Sequence, residues 1–160
     1  MQRSYVFGGF LRDAFKGVIS DDVDILFRSR NGSTVPYLES VAKAAEDIKA
    51  KAPQIDALIN NAGVMQTPER KTKQGFELQI GTNHFGHFKL NSLLLSHLEQ
   101  SGARIVAVSS IAHKLGDIYL DDLNFENSSY DPTRAYGQSK LANIMYGFEL
   151  QRRLESRKSP

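Results

Sequence analysis

Ala135-Tyr136-Gly137-Gln138-Ser139-Lys140 is the stretch around which the chain is read. As a helix it places Tyr136 and Lys140 one turn apart on one face. A helix advances about 100° per residue, so the two side chains differ by only about 40° around the axis. Leu141, Ile144, Met145 and Phe148 form a separate apolar stripe, rotated away from the tyrosine. Such a helix is expected to bury one face and still aim a phenol and an ammonium into a cleft. A free phenol, with a pKa of about 10, exchanges protons poorly near neutral pH, and a cation one turn away favours the phenolate. A serine hydroxyl beside them, from Ser109-Ser110 upstream, can hold a carbonyl oxygen while the phenol gives or takes the proton. Alone, Tyr-x-x-x-Lys is short and more often marks a solvated helix; the company it keeps decides.

Working back from this helix, residues 112 to 134 form a long polar connection with Gly116, Asp121, Asp122 and Pro132. Such a length inside a compact domain lines a site or is mobile. His113 within it reads as a solvated loop histidine. Arg104-Ile105-Val106-Ala107-Val108 is a buried-type strand that delivers Ser109-Ser110 at its end. Before it, one long helix is expected from Phe76 to Leu98, stopped by Gly102. It carries Asn83, and also His84 and His87, three apart; no carboxylate stands at a useful spacing, so this pair reads as packing or surface and no metal site is assigned. Residues 67 to 75, with Pro68 and Gly75, are loop. Ile55 to Ile59 is a short strand running into Asn60-Asn61-Ala62-Gly63, and Leu38, Val41, Ala42, Ala45 and Ile48 repeat with helical spacing until Pro53. The last helix is expected from Ala135 to Glu155, and the basic cluster at its end reads as a solvated helix terminus.

The 160 residues suggest one domain's worth of chain, and 41% hydrophobic content allows an ordinary core. A formal charge of +2 gives no reason to expect nucleic acid or an anionic membrane as partner. With no cysteine, disulfides and thiol catalysis are excluded. The first residues lack the apolar core of a secretory signal, and no run reaches the roughly 20 apolar residues of a membrane span. The expected location is cytoplasmic.

Four blocks, in order, carry a family likeness: Asn60-Asn61-Ala62-Gly63, Thr82-Asn83-His84-Phe85-Gly86, Val108-Ser109-Ser110, and Tyr136 through Lys140. With them, residues 38 to 155 resemble the middle of a short-chain dehydrogenase/reductase, closest to the retinol-dehydrogenase-like branch. The resemblance implies an α/β fold, a Rossmann-like doubly wound parallel sheet with NAD or NADP at the carboxyl ends of its strands. It implies that Tyr136 is the general acid/base, that Lys140 assists it and holds the nicotinamide ribose, and that Ser110, second of its pair, binds the reacting oxygen. Asn83 would fix a water in a proton relay, and Asn61, Ala62 and Gly63 would lie against the adenosine side of the cofactor. The reaction would be hydride transfer between NAD(P)H and an apolar carbonyl or alcohol. The family usually dimerises through its long helices, here Phe76 to Leu98 and Ala135 to Glu155.

The sheet is expected to be incomplete. The family's Gly-x-x-x-Gly-x-Gly turn, which receives the pyrophosphate on backbone amides, has no counterpart of that spacing, and the chain stops at Pro160 before the family's last strands. Weak dinucleotide binding, and an inactive truncated domain as an alternative, follow from that. Arg30 only weakly resembles the family's 2′-phosphate-selecting arginine, and Thr34 stands where the family usually carries an aspartate near the adenine.

Residues 1 to 32 read as a separate segment, with Asn31-Gly32 at the junction and the dehydrogenase-like part running from 33 to 160. Tyr5-Val6-Phe7 is strand-like, Phe10 to Lys16 helical, and Asp22 to Phe27 a second strand. Gly8-Gly9, Arg12-Asp13, Gly17 and Asp22-Val23-Asp24 resemble the motif of template-independent RNA nucleotidyltransferases. That likeness implies magnesium held by Asp22 and Asp24, as an alternative reading of the chain.

Overall fold

The structure is a computed structural model and describes residues 4–6 and 38–159. The glycine pair at 8–9, the helix expected at 10–16, the acidic strand at 22–27 and the junction near residue 32 lie outside the described residues.

Three parallel strands form one sheet in the order β1 (Ser4–Val6), β2 (Ala57–Asn60), β3 (Arg104–Ala107). Tyr5 pairs with Leu58, and Leu58 with Ile105. Parallel neighbours need helical crossovers, and the chain supplies them. Helix α1 (Leu38–Lys51) precedes β2, and a helical unit from residue 78 to 101 separates β2 from β3. The incomplete doubly wound sheet expected from the sequence is therefore the architecture observed.

The core follows from two periodicities. Val41, Ala45 and Ile48 lie on one face of α1, and Ala52 and Ile55 continue it. They meet Leu90, Leu94 and Leu98, spaced four apart on α3 (Gly86–Ser101). Leu58 of β2 closes the cluster. Two residues on, and so on the same face of the strand, buried Asn60 donates to Asn91 Oδ1 at 3.0 Å. That face of β2 is thus apolar in its middle and polar at its carboxyl end.

The helix expected from Phe76 to Leu98 is not uniform. Phe76 and Glu77 are held in turn and bridge geometry, Thr72 donating to the Phe76 carbonyl at 2.7 Å and Lys71 bridging Glu77. Helix α2 starts at Leu78 and spans Leu78–Ile80. A π turn, Gly81–Phe85, follows, its i→i+5 pattern closed by Gly86 N–H to the Gly81 carbonyl. Gly102, in the left-handed region at φ 61°, ends α3 as expected.

β3 was expected to be buried, but its residues alternate between exposed and half-buried, and Val106 is 36% exposed. Among the described residues it is paired on one side only, by β2. Helix α4 runs Pro132–Ser156, a turn earlier than the sequence suggested. Asp131 caps it, accepting from Thr133 N at 2.8 Å and Arg134 N at 3.0 Å, and Pro132, read as loop, occupies a first-turn position where it loses no bond. No helix among the described residues is long and apolar enough to cross a membrane.

Candidate active site

The site lies where β2 and β3 end. Beyond β3, Ser109 donates to the Lys140 carbonyl at 2.8 Å, tying the strand end to the middle of α4. Ser110 then caps a short 3-10 helix, Ile111–Leu115, its Oγ accepting from Ala112 N at 3.2 Å. This settles a difference between the two serines. The Ser109 hydroxyl proton is committed to a backbone carbonyl, whereas Ser110 uses its oxygen as an acceptor and keeps its proton to donate.

The 3-10 helix packs backbone to backbone on α4. A Cβ on Gly137 would lie 2.7 Å from Gly116 N and 2.8 Å from the Ala112 carbonyl oxygen. Only glycine allows this approach, which brings the Ser110 arm beside the turn carrying Tyr136. His113, read as solvated, is half-buried on this arm, its Nδ1 2.7 Å from the Ser110 carbonyl oxygen. Gln138, fully buried, reaches the other way: it accepts from Tyr119 N at 3.0 Å and donates to the Leu123 carbonyl at 3.1 Å. The long connection is therefore held against α4.

Lys140 is 5% exposed. Its Nζ lies 5.6 Å from the centroid of the Tyr136 ring and donates to the Val108 carbonyl at 3.3 Å. Burial holds its pKa below the ordinary lysine value. No carboxylate among the described residues pairs with it, so the ammonium is desolvated and poorly compensated.

Asn83 sits in the π turn, fully buried. Its amide is engaged with protein: Oδ1 accepts from Val64 N at 2.8 Å, and Nδ2 donates to the Val64 carbonyl and to Ser139 Oγ, both at 2.9 Å. Its backbone carbonyl accepts from Asn143 Nδ2 at 3.0 Å and faces His87 Nδ1 at 2.9 Å. The Asn83 side chain thereby ties the segment after Gly63 to α4. Asn61 and Ala62 are half-buried and Gly63 is exposed. A Cβ on Gly63 would stand 3.0 Å from Asn83 Oδ1 and 3.7 Å from Lys140 Nζ, so the missing side chain keeps an open cradle beside the lysine.

The histidine pair is packing, with defined tautomers. Asn143 Nδ2 also donates to the Val108 carbonyl at 3.1 Å, so its Oδ1 must accept, and His84 Nδ1 at 3.0 Å must donate. His87 likewise donates Nδ1–H to a carbonyl. Burial lowers both pKa values, that of His87 to about 4, so both rings are neutral near pH 7. Sequence reasoning missed Ser139 and Asn143. Ser139 donates to the Tyr136 carbonyl at 2.8 Å while accepting from Asn83, and Asn143 joins α4, the π turn and the end of β3. The available signal was the lack of any large apolar residue from Gly137 to Lys140.

The profile of the short chain dehydrogenase family matches residues 33–120. The chain belongs to that family, and within it to the retinol-dehydrogenase-like branch. Retinol dehydrogenase 14 of Homo sapiens is 51% identical over 119 residues, covering 74% of this chain and 35% of that protein. Polyprenol dehydrogenase of Homo sapiens is 40% identical over 141 residues, 85% of this chain and 41% of that protein. The crystal structure of an uncharacterised protein from Mycobacterium paratuberculosis superposes with a TM-score of 0.72 at 43% identity, covering 88% of this chain and 47% of that one. The chain thus spans between a third and a half of the length of these relatives. The family match begins at residue 33, so the nucleotidyltransferase-like motif falls outside it as well as outside the described residues.

Proposed function

We propose that this chain carries the proton-transfer half of an NAD(P)-dependent oxidoreductase that interconverts an alcohol and a carbonyl. The observation that carries the reading is Lys140: a buried ammonium without a carboxylate, beside the Tyr136 ring and the Gly63 cradle. A buried cation so weakly compensated fits a polar ligand that completes its hydrogen bonds, and a nicotinamide ribose has hydroxyls for that purpose. Lys140 and Tyr136 would hold that ribose, with Asn61, Ala62 and Gly63 along the adenosine side. When bound, the nicotinamide would supply or take the hydride.

In the direction of reduction, Ser110 donates its uncommitted hydroxyl proton as a hydrogen bond to the substrate oxygen. Tyr136 gives its phenolic proton to that oxygen as the carbon accepts hydride, leaving an alcohol and a phenolate. The Lys140 ammonium stabilises the phenolate until a proton returns. Oxidation is the reverse. Met65, Ile111, Leu115 and Leu120 are exposed apolar side chains on the segments that flank Gly63 and Ser110, which favours an apolar substrate.

Residues 33 to 160 are the unit of this reading, and Ser4–Val6 adds a strand to its sheet beside β2. The pyrophosphate-binding glycines have no counterpart in the sequence, so dinucleotide affinity is weak, and two copies associate through α3 and α4. Reduction of decanal by NADPH or NADH tests the activity. Tyr136→Phe is expected to lower it by about 100-fold or more, and unchanged turnover would remove the phenol from the reaction.

A further inference from the structure

Glu77 and Gln79 stand at the start of α2, 1% and 0% exposed. The Glu77 carboxylate accepts from Gln79 N at 2.9 Å, from Ile80 N at 2.8 Å and from the Tyr130 hydroxyl at 3.1 Å. Gln79 Oε1 accepts from Gln66 N at 2.9 Å, while its Nε2 donates to Tyr130 Oη and to the Pro132 carbonyl, both at 2.9 Å. Three segments therefore meet on two buried side chains: the loop leaving Gly63, the helical unit with Asn83, and the residues that lead into α4. Tyr136 follows Pro132 by about one turn.

Capping alone does not account for this. A serine or aspartate caps a helix start, and burying a carboxylate without a cation is costly. What the longer acid adds is reach to Tyr130, which has one hydroxyl proton and two acceptors for it, Glu77 Oε1 and the Thr67 carbonyl, each at 3.1 Å. We infer that Glu77 and Tyr130 are positioning residues, whose bond sets the first turn of α4, and with it the Tyr136 phenol, against Asn83 and the segment at Gly63. This rests on the reading of Tyr136 and Lys140 as the reacting pair, and neither Glu77 nor Tyr130 touches substrate in it.

Tyr130→Phe is the test, because it keeps the ring packed against Phe125 and leaves both backbone bonds of Glu77 in place. Three readouts on the whole chain separate the outcomes: thermal unfolding, the kinetics of decanal reduction by NADPH, and titration of Lys140 by NMR of its ε-carbon. The expected result is a kcat lower by at least about tenfold, with the KM for NADPH within about twofold. The Lys140 midpoint should move up towards the ordinary lysine value as a shifted α4 admits water. A fall in melting temperature with kcat and the Lys140 midpoint unchanged would overturn the inference and leave Tyr130 a structural residue. If the parent chain reduces no carbonyl under any condition, the functional reading fails; the Lys140 midpoint still decides the positioning role, supporting it by moving and overturning it by staying. Glu77→Gln, which keeps the shape of the acid, should shift that midpoint in the same direction.

Discussion

His87 shows at residue scale what burial does to a titratable group inside this site. Its Nδ1–H points at the Asn83 carbonyl, its Nε2 is buried without a protein partner, and its pKa is lowered to about 4, chiefly by desolvation. Between pH 6.5 and 4 the unfolded chain therefore binds more protons at this residue than the folded one. The His87 contribution to stability is complete above pH 6.5 and falls as pH drops, by on the order of 3 kcal/mol at pH 4. Glu77 acts in the opposite sense: burial raises its pKa, so its contribution is present at low pH and is lost as pH rises through the folded value. Comparing the parent with His87→Gln cancels the Glu77 contribution. Urea unfolding at pH 7, 5 and 4 should show the variant losing less stability across that range, and parallel curves would mean that His87 does not drive the acid limb. The tyrosine, lysine and serines of the site were legible because helical spacing and a strand end fix their relative positions. Ser139, Asn143 and the tautomer of His87 were not, since each depends on which groups a different element presents to it.

At the scale of elements, α4 buries a different set of residues from the apolar stripe its sequence offers. Of the apolar stripe Leu141, Ile144, Met145 and Phe148, the first two are half-buried and the last two exposed. The buried residues of α4 are instead Ala135, Gly137, Gln138, Ser139, Lys140 and Asn143, a largely polar set. Their hydrogen bonds to Asn83, Val108, Tyr119 and Leu123 account for that burial, which periodicity of apolar residues cannot detect. The π turn escaped notice for a similar reason: it adds a single residue to the turn, and Gly81 to Phe85 still reads as helix. The Gly116–Gly137 contact makes the packing of this helix testable. A methyl at Gly116 would overlap the backbone of Gly137 and Gln138, and neither can yield as a flexible side chain could. Gly116→Ala and Gly137→Ala should each cost about 3 kcal/mol and separate Ser110 from Tyr136. Gly147→Ala lies on the same helix with nothing within 4 Å of the added carbon, and should gain roughly 0.5–1 kcal/mol from helix propensity. Urea midpoints for the three variants check both signs, and a neutral Gly137→Ala would show that the 3-10 helix can slide.

At the scale of the whole molecule, the described residues divide into an apolar centre and a polar seam between the π turn, the end of β3 and α4. The centre, α1 and α3 around Leu58, was legible from periodicity alone, because apolar spacing four apart on two helices leaves few other ways to bury them. The outer side of α3 and α4 is different. Phe88, Met145 and Phe148 are exposed, Phe148 by 76%, and Phe88 stacks edge-on to Tyr146 at 5.4 Å, so the two helices share one apolar surface. We propose that this patch meets its own copy across a two-fold axis, the arrangement an isologous dimer requires. Phe148→Glu places a carboxylate in that surface without touching the residues around Lys140. Sedimentation at rising concentration should then show a dimer for the parent chain and a monomer for the variant. Leu120→Glu, an equally exposed leucine on the connection before α4, should leave association unchanged. If both variants or neither lost the dimer, the association would not run through the α3–α4 face. Because Phe148 lies about two helical turns beyond Lys140 on α4, the monomeric variant should keep whatever NADPH affinity the parent chain has, measured by thermal shift.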